Sequence, residues 1–458
     1  MYDNEKNSII SKSLMCRIIA IAFPILVQGI VFQLQSLTDK AFLGNIDLVY
    51  ISALGAAQLP FNTTLDSLVA ICTGIVIIVS QLYGMGNRQD INKYMKSAMF
   101  YLWIISSLLF VIWSIFSENI FHLLSVDKEI IKYSIQYVRI CSVYFLFLGV
   151  DASLQAMLQG YGNTKPIMIA GIIKVVSNIL LSYILIFGHM GFPALFITGA
   201  AIGTLIANIL SCLYLMAYCF FYKKEEYGLL ADKTGWKNIK AFHKIFRLGV
   251  PTGMEFFLWN ASNLVLVRFL NGFSYKATAI YTLTFGIEVV FYAFLNASSK
   301  ATMTLMGQSI GAKQKKQADQ LLNNCLLLNI LIVILSILVF RIFPAQILGL
   351  FTKDNKIIQE AVPFLGFTGL ILLPKSFNAV LGNGIRAYGD TKWMFYSQII
   401  GSAFVILFSC ILINILHFEI IAVYITIFID EVIRVIINYC YYATHYLLLP
   451  DTNEIPLP

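Results

Sequence analysis

Residues 24–44, PILVQGIVFQLQSLTDKAFLG, form part of an apolar run long enough to cross a bilayer. The run also contains a proline, two amides and a carboxylate, which are Pro24, Gln28, Gln35 and Asp39. At roughly 100° per residue these four positions fall within an arc of about 60° on a helix. Such a face is costly against lipid and should point into a bundle or a watery cavity. Asp39 is therefore a candidate functional residue, unless it lies beside Lys40 at the outer interface and merely ends the helix.

The composition of the whole chain indicates the same environment. Of 458 residues, 59% are hydrophobic and 12% are charged, with a mean hydropathy of +0.78. A soluble domain has about twice that charged fraction. The N-terminus shows no small-residue cleavage site, so we expect the first helix to be retained. Eight cysteines lie singly in or beside apolar runs and predict neither a metal site nor a disulfide framework. The net charge of +8 gives no reason to expect a nucleic-acid partner.

Apolar stretches of about 20 or more residues predict an all-α integral membrane protein with twelve transmembrane helices. Their approximate spans are 14–41, 49–80, 95–117, 130–158, 167–188, 196–222, 242–270, 276–308, 321–343, 358–385, 393–415 and 419–447. The substantial polar connection falls halfway along the chain. We therefore expect a six-helix N-terminal bundle over residues 1–222, a linker over 223–241 and a six-helix C-terminal bundle over 242–458.

The positive charges predict the orientation. With the N-terminus inside, nineteen of the 32 Lys and Arg fall in the inner tail and loops, and eight fall on the outer side. This bias places both termini and the linker in the cytoplasm of a multi-pass protein of the cell (inner) membrane. The five remaining cations lie inside helices; they are Arg139, Lys174, Lys300, Lys375 and Arg434.

The two halves repeat each other at a constant offset of 227 residues, which carries Pro24 to Pro251. Other matched pairs are Gln81 with Gln308, Gly84 with Gly311, Asp127 with Asp354, Gly162 with Gly389, Thr164 with Thr391, and Lys165 with Lys392. Because the linker returns the chain to the same side, the repeat is parallel. Transporter folds with such halves place their sites near mid-membrane.

Polar residues of the second half follow the same register. Pro251, Glu255, Trp259 and Ser262 share an arc of about 80° and match Pro24, Gln28, Phe32 and Gln35. Glu255 either belongs to an ion pathway or is the structural partner of a lysine such as Lys300 or Lys375. Glu288 has the same two interpretations. Trp259 and Tyr281 could hold an organic cation through their rings, or serve core packing.

Two further groups stand out in the first half. Asp151 of the fourth helix matches Asn378 of the tenth, and it is either a second titrating group or a polar contact. Lys174, Asn178 and Ser182 recur every four residues and form one stripe, a pattern typical of hydrogen bonding between helices in lipid. The sequence contains no phosphate-binding loop, HExxH motif or nucleophile elbow. We therefore expect a transporter driven by an ion gradient, and no enzyme or cofactor.

These features resemble the multidrug and toxin extrusion (MATE) family over nearly the whole chain. The motifs that carry the resemblance are Pro24 and Asp39 in the first helix and the segments SNILLSYILIFG and ITGAAIGT in the fifth and sixth. The resemblance implies an antiporter that exports cationic, amphipathic drugs in exchange for H⁺ or Na⁺ by alternating access of its two bundles. Its partners would be small organic cations and the lipid bilayer, and we expect a monomer.

The resemblance also implies roles for particular residues. It implies an ion-coupling site at Asp39, Asn178 and Thr204, where Na⁺ could bind, with Ser182 and Asp151 nearby. In the C-terminal half Glu255, Asn378, Trp259 and Tyr281 are candidates for substrate or ion binding, and Pro24 and Pro251 are candidate hinges. Ser182 and Asn378 stand where the family pattern has carboxylates. We favour H⁺, since one carboxylate suffices to carry a proton. A flippase for a lipid-linked saccharide, of the same superfamily, is the alternative.

Overall fold

The computed structural model describes residues 11–124, 126–229, 235–273 and 275–447. Twelve long helices lie in these ranges, one at each predicted span. They are α1 (Lys12–Gly44), α2 (Leu48–Ile71 and Thr73–Gly84), α3 (Arg88–Leu123), α4 (Lys128–Ser142 and Phe145–Tyr161), α5 (Lys165–Phe187), α6 (Phe196–Ala217), α7 (Ile239–Phe273), α8 (Tyr275–Gly311), α9 (Lys315–Ile342), α10 (Asn355–Ala387), α11 (Thr391–Asn414) and α12 (Ile420–Tyr442). Short helical turns are Tyr218–Tyr222, Lys224–Tyr227, Pro344–Gly349 and Ala443–Leu447. The prediction of an all-α protein with twelve helices is confirmed.

Most of these helices are membrane spans by length and composition. Among the described residues nine qualify, namely α1, α2, α3, α5, α6 and α8 to α11. The two pieces of α4 are bent by 55° and together make a tenth candidate. The helices α7 and α12 fall outside this group, and both carry charged residues within their length, among them Glu255 and Glu431. The chain is a multi-pass membrane protein.

The described residues form two compact units. The first unit contains Pro24–Gly249, and the second contains the described residues up to Phe23 together with those from Val250 onward. The helices α1 and α7 therefore each belong to both units. The change of unit falls at Pro24 in α1 and one residue before Pro251 in α7. The domain boundaries at residues 222 and 242 stay predictions drawn from the repeat and the polar linker.

Positions matched by the repeat have the same local roles in both halves. Asp127 caps α4 and Asp354 caps α10, each by accepting a hydrogen bond from the backbone N–H two residues later. At the other end of the same helices, Gly162 and Gly389 have φ values of 78° and 91°. This left-handed backbone ends a helix and reverses the chain. The predicted turns after α4 and α10 therefore form at equivalent places.

Candidate functional site

The polar arc of α1 faces the interior of the first unit where it reaches Asp39. Asp39 is 1% exposed and Gln35, one turn earlier, is 6% exposed. Gln28 is half-buried and donates a hydrogen bond from Nε2 to Oε1 of Gln155 in α4, at 3.0 Å. The alternative position of Asp39 at an exposed interface is wrong, because this carboxylate is enclosed by protein.

Side chains of α5 and α6 surround Asp39. Asn178 and Ser182, one turn apart on α5, and Thr204 on α6 all interact with the Asp39 side chain. Nδ2 of Asn178 also donates to Oγ1 of Thr204 at 3.0 Å and to Oγ of Ser182 at 3.3 Å. The structure thus brings together the four residues predicted for the coupling site, on three different helices. One carboxylate lies among an amide and two hydroxyl groups.

Close packing of α5 against α6 positions these hydroxyl groups. A Cβ placed on Gly203 of α6 would lie 2.7 Å from Oγ of Ser182 and 2.9 Å from its backbone nitrogen. Gly199 and Gly203 are four residues apart and form the small-residue face that lets membrane helices approach each other closely. A side chain at position 203 would therefore separate Ser182 from Thr204. The glycine is part of the construction of the site.

Several oxygen atoms of this site carry no hydrogen bond within the described part of the chain. They are Oε1 of Gln35, Oδ1 of Asp39 and Oδ1 of Asn178, and all three are buried. Buried polar atoms are nearly always paired, so such orphans call for a ligand or a functional explanation. All three are hard acceptors that can take a proton-donating group or a small cation.

Asp151 belongs to a second polar group in the same unit. Its Oδ2 accepts hydrogen bonds from the hydroxyl of Tyr144 at 2.5 Å and from Nε2 of Gln155 at 3.0 Å. Since Gln155 also accepts from Gln28, the α1 arc is connected to Asp151 through one side chain. The positive charge of Lys174 acts on Asp39 and Asp151 together. Asp151 is thus electrostatically linked to the coupling site.

Lys174 is a tethered cation inside this unit. Its ammonium lies 5.0 Å from the centre of the Phe32 ring, within the range of a cation–π contact. It also interacts with the charge of Asp66, besides Asp39 and Asp151. The stripe on α5 therefore does more than join helices: Asn178 and Ser182 interact with Asp39, and the charge of Lys174 acts on the carboxylates around it.

The second unit contains ion pairs rather than a single carboxylate. Glu255 of α7 accepts a two-pronged contact from Nη2 of Arg386 in α10, at 2.6 and 2.7 Å. Pairing of Glu255 with Lys300 or Lys375 is therefore wrong. Lys375 instead binds Oε1 of Glu288 in α8 at 2.6 Å. Each of these carboxylates has one cation, which makes both pairs formally neutral.

Asn378, Trp259 and Tyr281 lie in different surroundings. Nδ2 of Asn378 donates to Oε2 of Glu431 in α12 at 2.6 Å. Trp259 is 43% exposed. The ring of Tyr281 is buried against Phe285, with 4.4 Å between ring centres. Of the two aromatic residues predicted for substrate binding, Trp259 is thus exposed and Tyr281 belongs to the core. Asn378 lies beside the buried carboxylate of Glu431.

Sequence reasoning missed several residues of these sites. Tyr137 of α4 is buried beside the first site, where it interacts with Thr204 and with the charge of Asp39. In the second unit sequence reasoning missed Arg386 of α10 and the group formed by Asp430, Glu431 and Arg434 on α12. The spacing of three and four residues in IDEVIR was the available signal, since it places all three on one helix face. Among the described residues no three His, Cys, Asp or Glu side chains are grouped to hold a metal ion.

Comparison with known proteins gives one consistent result. The MatE family model matches residues 24–184 and 251–411, two ranges that start and end 227 positions apart. A relative from Bacillus subtilis, "Probable multidrug resistance protein YoeA", is 27% identical over 81% of this chain and 80% of its own length. "Probable multidrug resistance protein NorM" of Thermotoga maritima is 24% identical over 82% of this chain and 80% of its own.

Solved structures share the fold. One is an outward-facing multidrug resistance MATE family transporter of the MOP superfamily, with a TM-score of 0.86 and 16% identity over 95% of this chain and 96% of that one. Another is a MATE protein in the straight conformation, with a TM-score of 0.85 and 17% identity over 96% and 97% of the two chains. At this identity the similarity establishes the arrangement of helices.

Proposed function

Because the chain belongs to the MATE family, a family of transporters, we propose that it is a secondary active antiporter that exports cationic, amphipathic organic compounds in exchange for H⁺. The names of the relatives from Bacillus subtilis and Thermotoga maritima support multidrug resistance as the physiological context. The charge distribution of the loops supports a location in the cell membrane with both termini in the cytoplasm.

The observation that carries the proposal is the environment of Asp39. Asp39 is 1% exposed, interacts with the side chains of Asn178, Ser182 and Thr204, and has one buried oxygen without a hydrogen bond. A buried carboxylate within the membrane is costly as an anion and is stabilised when a proton or a cation neutralises it. Exchange of that neutralising charge between the two sides of the membrane is the elementary step of coupling.

The number of ligands that each ion needs supports a proton as the coupling ion. The ammonium charge of Lys174 stabilises the ionised Asp39 carboxylate, so it opposes neutralisation by H⁺ and by Na⁺ alike. A proton is bound covalently and needs one oxygen, whereas Na⁺ needs a shell of several. The neutral oxygens of Gln35 and Asn178 could contribute to such a shell, and Na⁺ is therefore the alternative that the experiment must exclude.

Alternating access would use the two helices that belong to both units. Proline removes a backbone N–H and with it one hydrogen bond of the helix, so Pro24 and Pro251 weaken α1 and α7 where the change of unit occurs. We propose these two positions as hinges. The organic cation would then be exposed in turn to the two sides while the helices of each unit stay packed.

The test is efflux of a fluorescent organic cation from proteoliposomes with an imposed pH gradient in Na⁺-free buffer. The wild type should transport, and Asp39→Asn should lose gradient-driven efflux while keeping its elution volume in size-exclusion chromatography. Glu129→Gln, which neutralises an exposed carboxylate at the start of α4, is the matched control and should transport normally. Efflux that requires Na⁺ and does not respond to the pH gradient would show that the coupling ion is Na⁺ and not H⁺. Normal efflux by Asp39→Asn would refute the role of Asp39.

A further inference from the structure

A second cluster of buried charge lies on α12, next to Asn378 of α10. Nη2 of Arg434 contacts Oδ2 of Asp430 at 3.1 Å and Oε1 of Glu431 at 2.7 Å. Both carboxylate residues are 5% exposed. The second guanidinium nitrogen, Nη1, donates to Oε1 of Gln398 in α11 at 3.0 Å. Two carboxylates thus share one cation in a setting that is nine-tenths buried.

The charges of this cluster do not balance. Asp430 and Glu431 together carry two negative charges when ionised, and Arg434 carries one positive charge. The neighbouring cations are already committed, because Lys375 binds Glu288 and Arg386 binds Glu255. An uncompensated charge in a buried site costs several kcal/mol or more. The cluster is therefore stable only when something neutralises one of its two carboxylates.

The hydrogen bonds single out the carboxylate that is neutralised. Both oxygens of Glu431 accept hydrogen bonds, Oε1 from Arg434 and Oε2 from Nδ2 of Asn378 at 2.6 Å. Such donors stabilise the ionised form. Asp430 differs, since its Oδ1 is buried and has no partner among the described residues. Oδ1 of Asp430 is therefore the atom of the cluster at which a neutralising group would bind.

The space around that atom fits a proton better than a metal ion. A Cβ placed on Gly401 of α11 would lie 2.6 Å from Oδ1 of Asp430 and 2.8 Å from Cδ of Arg434. The helix α11 therefore approaches the pair closely through a residue without a side chain, leaving little room for a hydrated ion. The guanidinium 3.1 Å from the other Asp430 oxygen would also repel a metal cation.

We propose that Asp430 is a proton-binding site of the second unit, with the proton on Oδ1. In this arrangement the proton neutralises Asp430 and leaves Arg434 as the partner of the Glu431 carboxylate. The other charged or titratable groups that act on the cluster lie on the neighbouring helices. Lys375 of α10 acts on Asp430, and Glu288 of α8 interacts with Glu431. Glu255 of α7 and Tyr292 of α8 act on Arg434. Loss of this proton would leave one unbalanced negative charge and favour a different packing of α12.

The experiment is infrared difference spectroscopy of the purified full-length protein in lipid nanodiscs, titrated from acidic to alkaline pH. A protonated carboxylic acid gives its own carbonyl band, which disappears when the acid ionises. Among the bands of the wild type that shift on labelling with 4-¹³C-aspartate at neutral pH, one should be absent in Asp430→Asn, whereas any band of Asp39 should remain in that variant. Glu360→Gln, at an exposed acid of α10, should leave this band unchanged.

Glu431→Gln separates the proposal from a merely structural role. It removes one negative charge and leaves Asp430 and Arg434 as a balanced pair, so Asp430 should ionise and its band should vanish at neutral pH although the residue is intact. Persistence of every aspartic acid band in both variants, or the absence of a ¹³C-sensitive band in the wild type, overturns the proposal. The titration needs no substrate, so its outcome is independent of whether the protein exports organic cations.

Discussion

Gly203→Ala should disrupt the coupling site by forcing two helices apart. In the structure the added Cβ would lie 2.7 Å from Oγ of Ser182, 2.9 Å from its backbone nitrogen and 3.2 Å from its Cα. Non-bonded carbon atoms prefer separations of about 3.5–4.0 Å. The hydroxyl can rotate away but the backbone of α5 cannot, so α5 and α6 must separate locally by about half an ångström or more.

The effect on folding should be small and the effect on the site large. Overpacking of this kind costs about 1–3 kcal/mol, and alanine recovers up to about 1 kcal/mol over glycine in a helix. A net destabilisation of about 1 kcal/mol leaves the protein folded. The bond from Asn178 to Thr204, now 3.0 Å, would lengthen to about 3.5 Å, where a hydrogen bond is largely lost. Asp39 would then lose the ordered ring of donors around it.

Two measurements separate these effects. Thermal unfolding in detergent should show a lowering of the midpoint by a few degrees, and efflux under a pH gradient should fall at least tenfold. Gly55→Ala, in α2 of the same unit, is the control, because no atom lies within 4 Å of its added Cβ. That variant should unfold at the same or a higher temperature and transport normally. Wild-type efflux by Gly203→Ala would refute the argument that the geometry of Asn178 and Thr204 supports coupling.

Two further predictions concern buried cations. Lys174→Met removes a charge that competes with organic cations near Asp39, so binding of a cationic substrate should strengthen about tenfold, or ~1.4 kcal/mol, in a direct titration. Lys40→Met, which removes an exposed cation, should have no effect. Weaker binding by Lys174→Met would contradict the argument. Glu255→Gln leaves Arg386 buried without its carboxylate and should lower stability by about 3 kcal/mol, seen as a reduced unfolding midpoint. Replacing both residues by Gln should restore part of that loss; additive losses would show that the pair is not coupled.

The sequence predicted the helices and the local structure of the repeat because both depend on nearby residues. Apolar length determines where a helix crosses the membrane, and a capping residue acts on a backbone group two positions away. Asp127 and Asp354 therefore cap equivalent helices as their shared offset suggests. The site around Asp39 was predicted for a different reason. Its partners came from the family resemblance, which supplies contacts between helices that periodicity alone does not.

Pairing between helices of the second unit was the part that sequence reasoning could not reach. Helical periodicity fixes the face on which Glu255 lies, but not which of several buried cations faces it. Arg386 is 131 residues away in the sequence and lies near the end of α10, yet its guanidinium reaches Glu255 of α7. The interpretation of Asn378 as a position with missing charge was likewise incomplete, since Glu431 of α12 supplies a carboxylate beside it.

The two units handle buried charge in opposite ways, and this difference constrains how coupling can work. In the first unit Asp39 is surrounded by neutral donors with one tethered ammonium acting from a distance, so a change of protonation alters its local field strongly. In the second unit Glu255 and Glu288 are each held by a cation at 2.6 Å, and protonating either would break an existing pair. Within the described chain, the carboxylates with a buried orphan oxygen are therefore the candidates for exchanging a proton. Asp39 and Asp151 meet that condition in the first unit and Asp430 meets it in the second, which predicts proton-binding positions in both halves of the repeat.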